Sequence, residues 1–163
     1  MKTLSILFVI MLAVAGSAYA QSDVSATTAA DGAYPAGTTF SGLPISGLDI
    51  GTGVLLGPDG VAEGHVAIAL FGPINPVTGA PQNVIVEGMI TGGSHSAANV
   101  ATLTGTASVN MGNGAPPLTG VPLVVTITTN LNGQGTVGLV IGSTTLPNAS
   151  VTQGSLSINE LPE

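Results

Sequence analysis

The chain has 163 residues, 44% of them hydrophobic, 3% aromatic and 6% charged; eight acids stand against one basic residue, Lys2, and there is no cysteine. A chain with no Lys or Arg beyond Lys2 cannot neutralise phosphates, which excludes nucleic acid as a partner and adhesion to anionic membrane surfaces; an electrostatic partner would have to be cationic. The lack of cysteine excludes a disulfide framework, so the fold must rest on its apolar core.

Lys2, an apolar run from Leu4 to Ala15 and the small-residue stretch Gly16-Ser17-Ala18-Tyr19-Ala20 have the three parts of a bacterial secretory signal peptide. The run is shorter than the ~20 residues that span a bilayer, so no transmembrane segment is expected after cleavage. Residues 1–20 are therefore read as the signal, with Gln21 as the new N-terminus and a periplasmic or extracellular destination. Residues 21–36, rich in Ser, Thr, Ala, Asp and Gly, read as a flexible leader. Residues 37–163 read as one all-β domain.

From Gly37 onward, apolar runs alternate with Gly, Pro and Asn punctuation, and no 3.6-residue period occurs. Strands are predicted near 38–46, 51–56, 61–71, 83–91, 98–111, 120–130, 135–142 and 150–158. About eight short strands with turn signals between them predict an antiparallel β-sandwich or a flattened barrel. Gly57-Pro58-Asp59-Gly60 predicts a three-residue hairpin loop with a bulge, Gly60 taking the positive φ. At Asn132-Gly133 a two-residue turn would put Leu123, Val125 and Ile127 on the opposite face from Val137, Leu139 and Ile141. Burial of both sets demands an odd-length loop, with Gly133 or Gly135 left-handed.

Parity assigns faces. Val66, Ile68 and Leu70 share one side of 61–71, against Glu63, His65, Ala67, Ala69 and Phe71 on the other. In 83–91, Val84, Val86 and Ile90 oppose Ile85, Glu87 and Met89. These two strands are apolar on one face and half-apolar on the other, which predicts that the leader, a loop or another chain covers the second face. In 98–111, Ala101, Leu103, Ala107, Val109 and Met111 point inward, with Thr102, Thr104, Thr106, Ser108 and Asn110 outward.

Three groups of residues carry candidate chemistry. Glu63, His65 and Glu87 would share a face if their strands pair, and two carboxylates with an imidazole can hold a divalent cation; a His–Glu hydrogen bond on a half-exposed face is the simpler expectation. Ser94-His95-Ser96, beside Gly92-Gly93, nominally offers a nucleophile and a base. It is read as a solvated loop, since no Gly-x-Ser-x-Gly elbow is present and no Arg or Lys can stabilise an oxyanion. Thr102, Thr104 and Thr106 could order water or dock a glycan through hydroxyls, although Thr also simply suits an exposed strand. Asn148-Ala149-Ser150 is a glycosylation sequon of no consequence in a bacterial product. Three aromatics after the signal cannot build the two girdles of an outer-membrane barrel, and the chain ends in Leu-Pro-Glu rather than a strand.

The expected role is thus a secreted, non-catalytic structural or interaction module with no cofactor, part of an extracellular or cell-surface assembly, through self-association or through a protein or glycan partner. A small-ligand or Ca²⁺-binding domain is the alternative, and a hydrolase comes last.

Overall fold

Period-two burial runs through β-strands along most of the computed structural model, which describes residues 23–97, 99–130, 132 and 134–162. The expected signal peptide, its cleavage site and Gln21 lie outside the described residues. In chain order the strands are β1 (Val24–Ala33), β2 (Thr39–Phe40), β3 (Leu43–Pro44), β4 (Gly47–Leu56), β5 (Val61–Phe71), β6 (Val84–Ala97), β7 (Val100–Asn110), β8 (Leu118–Thr129), β9 (Gly135–Ile141), β10 (Thr144–Thr145) and β11 (Ala149–Glu160). No helix occurs among the described residues.

Eight of these strands form a closed ring. β1, β4, β5, β6, β7, β8, β9 and β11 are neighbours in that order, β11 returns to β1, and every pairing is antiparallel. β10 adds a short pairing to the end of β9. The fold is therefore an up-and-down barrel, and the sandwich alternative is excluded because one sheet closes on itself. Of the wall strands, β4, β6 and β11 run longer than expected, β5 matches the predicted 61–71, and β7 and β9 are shorter.

Closure removes most of the strand edge that lysines would otherwise have to protect; β11 meets β9 only at Ala149 and Ser150, so its remaining length is paired on the β1 side alone. An eight-stranded ring encloses a space just wide enough for side chains to fill. Here Leu48, Ile50, Val66, Leu70, Val86, Ile90, Leu103, Leu123, Ile127 and Leu139 fill it, each essentially inaccessible to solvent. Each such burial contributes roughly 1.5–3 kcal/mol, so the interior supplies what disulfides would supply in a smaller secreted domain.

Residues Val24–Ala33, read from sequence as part of a flexible leader, are instead β1, the strand that joins the two ends of the sheet. Val24, Ala26, Thr28 and Ala30 point in while Ser25, Thr27, Ala29 and Asp31 point out or lie half-exposed. That alternation is spelled in Ala, Thr and Ser, whose hydropathies hardly differ, so the period is present but faint. The predicted strand at 38–46 is likewise a small hairpin, β2–β3, turned at Ser41-Gly42 with both residues at positive φ (49° and 80°), as a type I′ turn requires. It sets Phe40, together with Tyr34 and Ile45, into the core at one end of the barrel.

The two hairpins read in detail take the expected forms. Leu56 pairs with Ala62, the Gly57 amide donates to the Val61 carbonyl at 2.8 Å, and Gly60 has φ 82°. The Asp59 carboxylate accepts from the Val61 amide at 3.0 Å, which fixes the turn. In the second hairpin Thr129 pairs with Gly135, giving a five-residue loop, and Leu123, Val125 and Ile127 stand opposite Ile141, Leu139 and Val137 on the buried face. Gly135 is not left-handed; Gly133 lies outside the described residues.

Candidate functional site

Glu63, His65 and Glu87 all lie on the outer wall and are exposed. β5 and β6 do pair: His65 faces Met89, and Ala67 faces Glu87. Glu87 is thus diagonal to His65, a position ~7–8 Å away in an antiparallel sheet. Glu63 is two residues along β5, next to the register shift between Val61 and Gly64. Among the described residues no three His, Cys, Asp or Glu side chains come close enough to hold a metal ion together.

Among the described residues neither the leader nor a loop covers the face of β5 and β6 predicted to be covered. Met89 is 58% exposed, Ile85 is 39% exposed and Ala67 is exposed, while the segment expected to shield them is committed to the wall as β1. Asp31 of β1 and Asp49 of β4 are direct cross-strand partners at the far side of this same face.

Ser94-His95-Ser96 is not a loop. β6 continues through it, pairing Gly92 with Thr104, Ser94 with Thr102 and His95 with Ala101. Gly93 permits this, because a Cβ there would lie 2.5 Å from the Thr102 carbonyl oxygen; the Gly-Gly pair marks close strand approach rather than a chain break. Successive strand residues face opposite sides, so exposed Ser94 and Ser96 point away from the side to which His95 turns, beside buried Ala101. The adjacent serines and histidine therefore form no nucleophile–base pair with one another.

His95 closes the end of the barrel where the β4–β5 turn lies. Its Nε2 atom is buried and has no hydrogen-bond partner among the described residues. A cavity of about 220 Å³ opens beside it, lined by Val24, Leu56, Pro58, Asp59, Ser94 and His95 with glycine backbone. Sequence reading missed this cavity, since Asp59 serves a turn and His95 a strand, and only barrel closure brings them to one mouth. At the opposite end Tyr34 is 8% exposed, and its hydroxyl is also buried and unpartnered. Burial pushes the Tyr34 hydroxyl well above the usual phenol range. Also at that end, the 72–83 loop exposes Ile74 and Val77, two apolar residues hidden in sequence among Pro, Asn and Gly.

Thr102, Thr104 and Thr106 point outward from β7 as expected. Thr102 stands between Ser94 of β6 and Thr126 of β8, and on the next strand pair Thr128 faces Thr136 of β9. With strands ~4.8 Å apart, these side chains form a hydroxyl-bearing wall. That wall is also uncharged. Asp23, Asp31, Asp49, Asp59, Glu63 and Glu87 lie on or beside β1, β4, β5 and β6, and Glu160 ends β11, whereas from residue 88 to residue 159 the chain has no Asp, Glu, Lys or Arg. Closing the sheet therefore divides the barrel into an acidic half and a neutral half centred on β7, β8 and β9.

No protein-family model, curated protein or solved structure matches this chain.

Proposed function

We propose that this protein is a secreted, non-catalytic structural or interaction module that associates with further copies of itself in an extracellular or cell-surface assembly. The observation that carries the reading is the division of the barrel wall. Residues 23–162 contain no Lys or Arg, so two copies have no opposite charges to pair. Their acidic halves repel each other, and the uncharged wall of β7–β9, where Thr shares the outer face with Pro122, Val124 and Val140, is the broad surface on which copies meet without that penalty. The aliphatic filling of the interior supports the same reading, since it leaves the outer surface to make contacts. The interior is aliphatic, unlike the polar interior of a membrane-spanning barrel, and the outer wall mixes hydroxyl and acidic residues with exposed Leu55, Val61, Ile85, Met89 and Leu118.

Sedimentation velocity over a concentration series, at neutral and at mildly acidic pH, tests the proposal. Reversible association is expected at neutral pH and strengthens as the acids are neutralised. Thr126→Glu, in the middle of the neutral wall, is expected to weaken association at neutral pH, while Ala67→Glu on the acidic half leaves it unchanged. A particle that stays monomeric at high concentration under both conditions overturns the assembly reading.

The mouth cavity supports a second reading, binding of a small ligand beside Asp59 and His95. A ligand that raises the melting temperature in wild type and fails to do so in His95→Phe would favour it.

A further inference from the structure

We propose that Asn113 is a site of spontaneous deamidation in the folded protein, through a succinimide closed by the Gly114 amide. Asn113 and Gly114 lie in the exposed loop between β7 and β8. The Ala115 amide donates to the Asn113 side-chain oxygen Oδ1 at 3.0 Å. That bond folds the side chain back along its own backbone, toward the intervening Gly114 nitrogen. It also stabilises the negative charge that develops on Oδ1 when Cγ is attacked. Gly114 has φ 83° and nothing lies within 4 Å of where its Cβ would be, and among the described residues its amide donates no backbone hydrogen bond.

The step balances with water as the only co-reactant. The Gly114 nitrogen loses its proton and bonds to Asn113 Cγ; the Cγ–Nδ2 bond breaks, and Nδ2 takes up the proton and leaves as ammonia. Water then opens the cyclic imide at either carbonyl, giving aspartate or, with the backbone rerouted through Cγ, isoaspartate.

Three similar turns lack one of these conditions, while the other Asn-Gly pair, Asn132-Gly133, falls partly outside the described residues. The Asn75 side chain accepts from the Val77 amide at 2.9 Å, but Pro76 follows and has no N–H to lose. The Asn110 side chain accepts from the Gly112 amide at 3.0 Å, but the next residue is Met111, half-buried against the core. At Asp59 the following Gly60 amide is engaged, donating to the Gly57 carbonyl at 3.1 Å. The inference is independent of the assembly reading, because it concerns one loop and its chemistry.

The test is to incubate the folded protein at mildly alkaline pH and physiological temperature, digest it with pepsin, and map each asparagine by mass spectrometry. Enzymatic carboxyl methylation would report isoaspartate. The expected result is progressive loss of the amide at residue 113 with isoaspartate appearing, while Asn75 and Asn110 keep their amides. Asn113→Gln, whose longer side chain closes the ring far less readily, is expected to abolish the change at 113 and leave the melting temperature unmoved. An intact Asn113 amide in the folded protein over a period in which the urea-unfolded chain loses it would overturn the proposal, as would Asn75 or Asn110 changing as fast.

Discussion

Thr28 and Leu156 are cross-strand partners, 128 positions apart in the chain, and both are buried in the barrel. Their strands are the first and last of the sheet, so this pairing is what turns a meander into a ring. Leu156→Ala is expected to cost about 2–5 kcal/mol, the range for a buried leucine truncation, read as a lowered midpoint in urea. Deleting residues 24–33 is expected to abolish cooperative unfolding, because it removes a wall strand; a cooperative transition that survives the deletion would show the ring dispensable.

The Tyr34 hydroxyl is buried without a partner among the described residues, so Tyr34→Phe is expected to leave stability unchanged or raise it by about 1–3 kcal/mol. Its pH dependence has a definite sign. Because burial holds the folded-state pKa above the unfolded one, the unfolded chain loses the phenolic proton first. Stability from this group is complete below about pH 10, the ordinary tyrosine value, and falls as pH rises further. Denaturation midpoints at successive alkaline pH values should show this decline in wild type and a shallower one in Tyr34→Phe.

His65→Ala and Glu87→Ala, both on the exposed wall, are each expected to change stability by no more than about 1 kcal/mol, the scale of one modest hydrogen bond. Zn²⁺ or Ca²⁺ should not shift the melting temperature. A shift that either substitution removes would promote a metal-binding role.

Residues 23–162 contain no Lys or Arg, so trypsin is expected to leave them intact even in urea concentrations that unfold the barrel, while chymotrypsin cleaves under the same conditions. Gel electrophoresis after parallel digests checks this. Fragmentation by pure trypsin would contradict it.

What could be read in advance followed the contrast between neighbouring side chains. Val66, Ile68 and Leu70 alternate with Glu63, His65 and Ala67, so the faces of β5 were legible, and the parity of Leu123–Ile127 against Val137–Ile141 fixed an odd loop before any pairing was known. β1 was not legible, because its inward positions are Ala and Thr as often as Val. The end of β6 was hidden by Gly92-Gly93, which punctuates most sequences but here lets two strands approach. Closure itself was beyond local reading, since β1 and β11 meet only through the curvature of all the strands between them. For the same reason the mouth cavity and the neutral wall emerged only from the ring, although the gap in charge between Glu87 and Glu160 was visible throughout.

The pairing of first strand with last also sets an order of events in time. β1 has β4 available early, but its other partner, β11, is the last strand to be synthesised. The ring cannot close on a partial chain, and contacts this distant in sequence form slowly, on the milliseconds-to-seconds scale of non-local β topologies. The ring therefore stays open until β11 exists, and it closes only then, when strands more than a hundred positions apart meet.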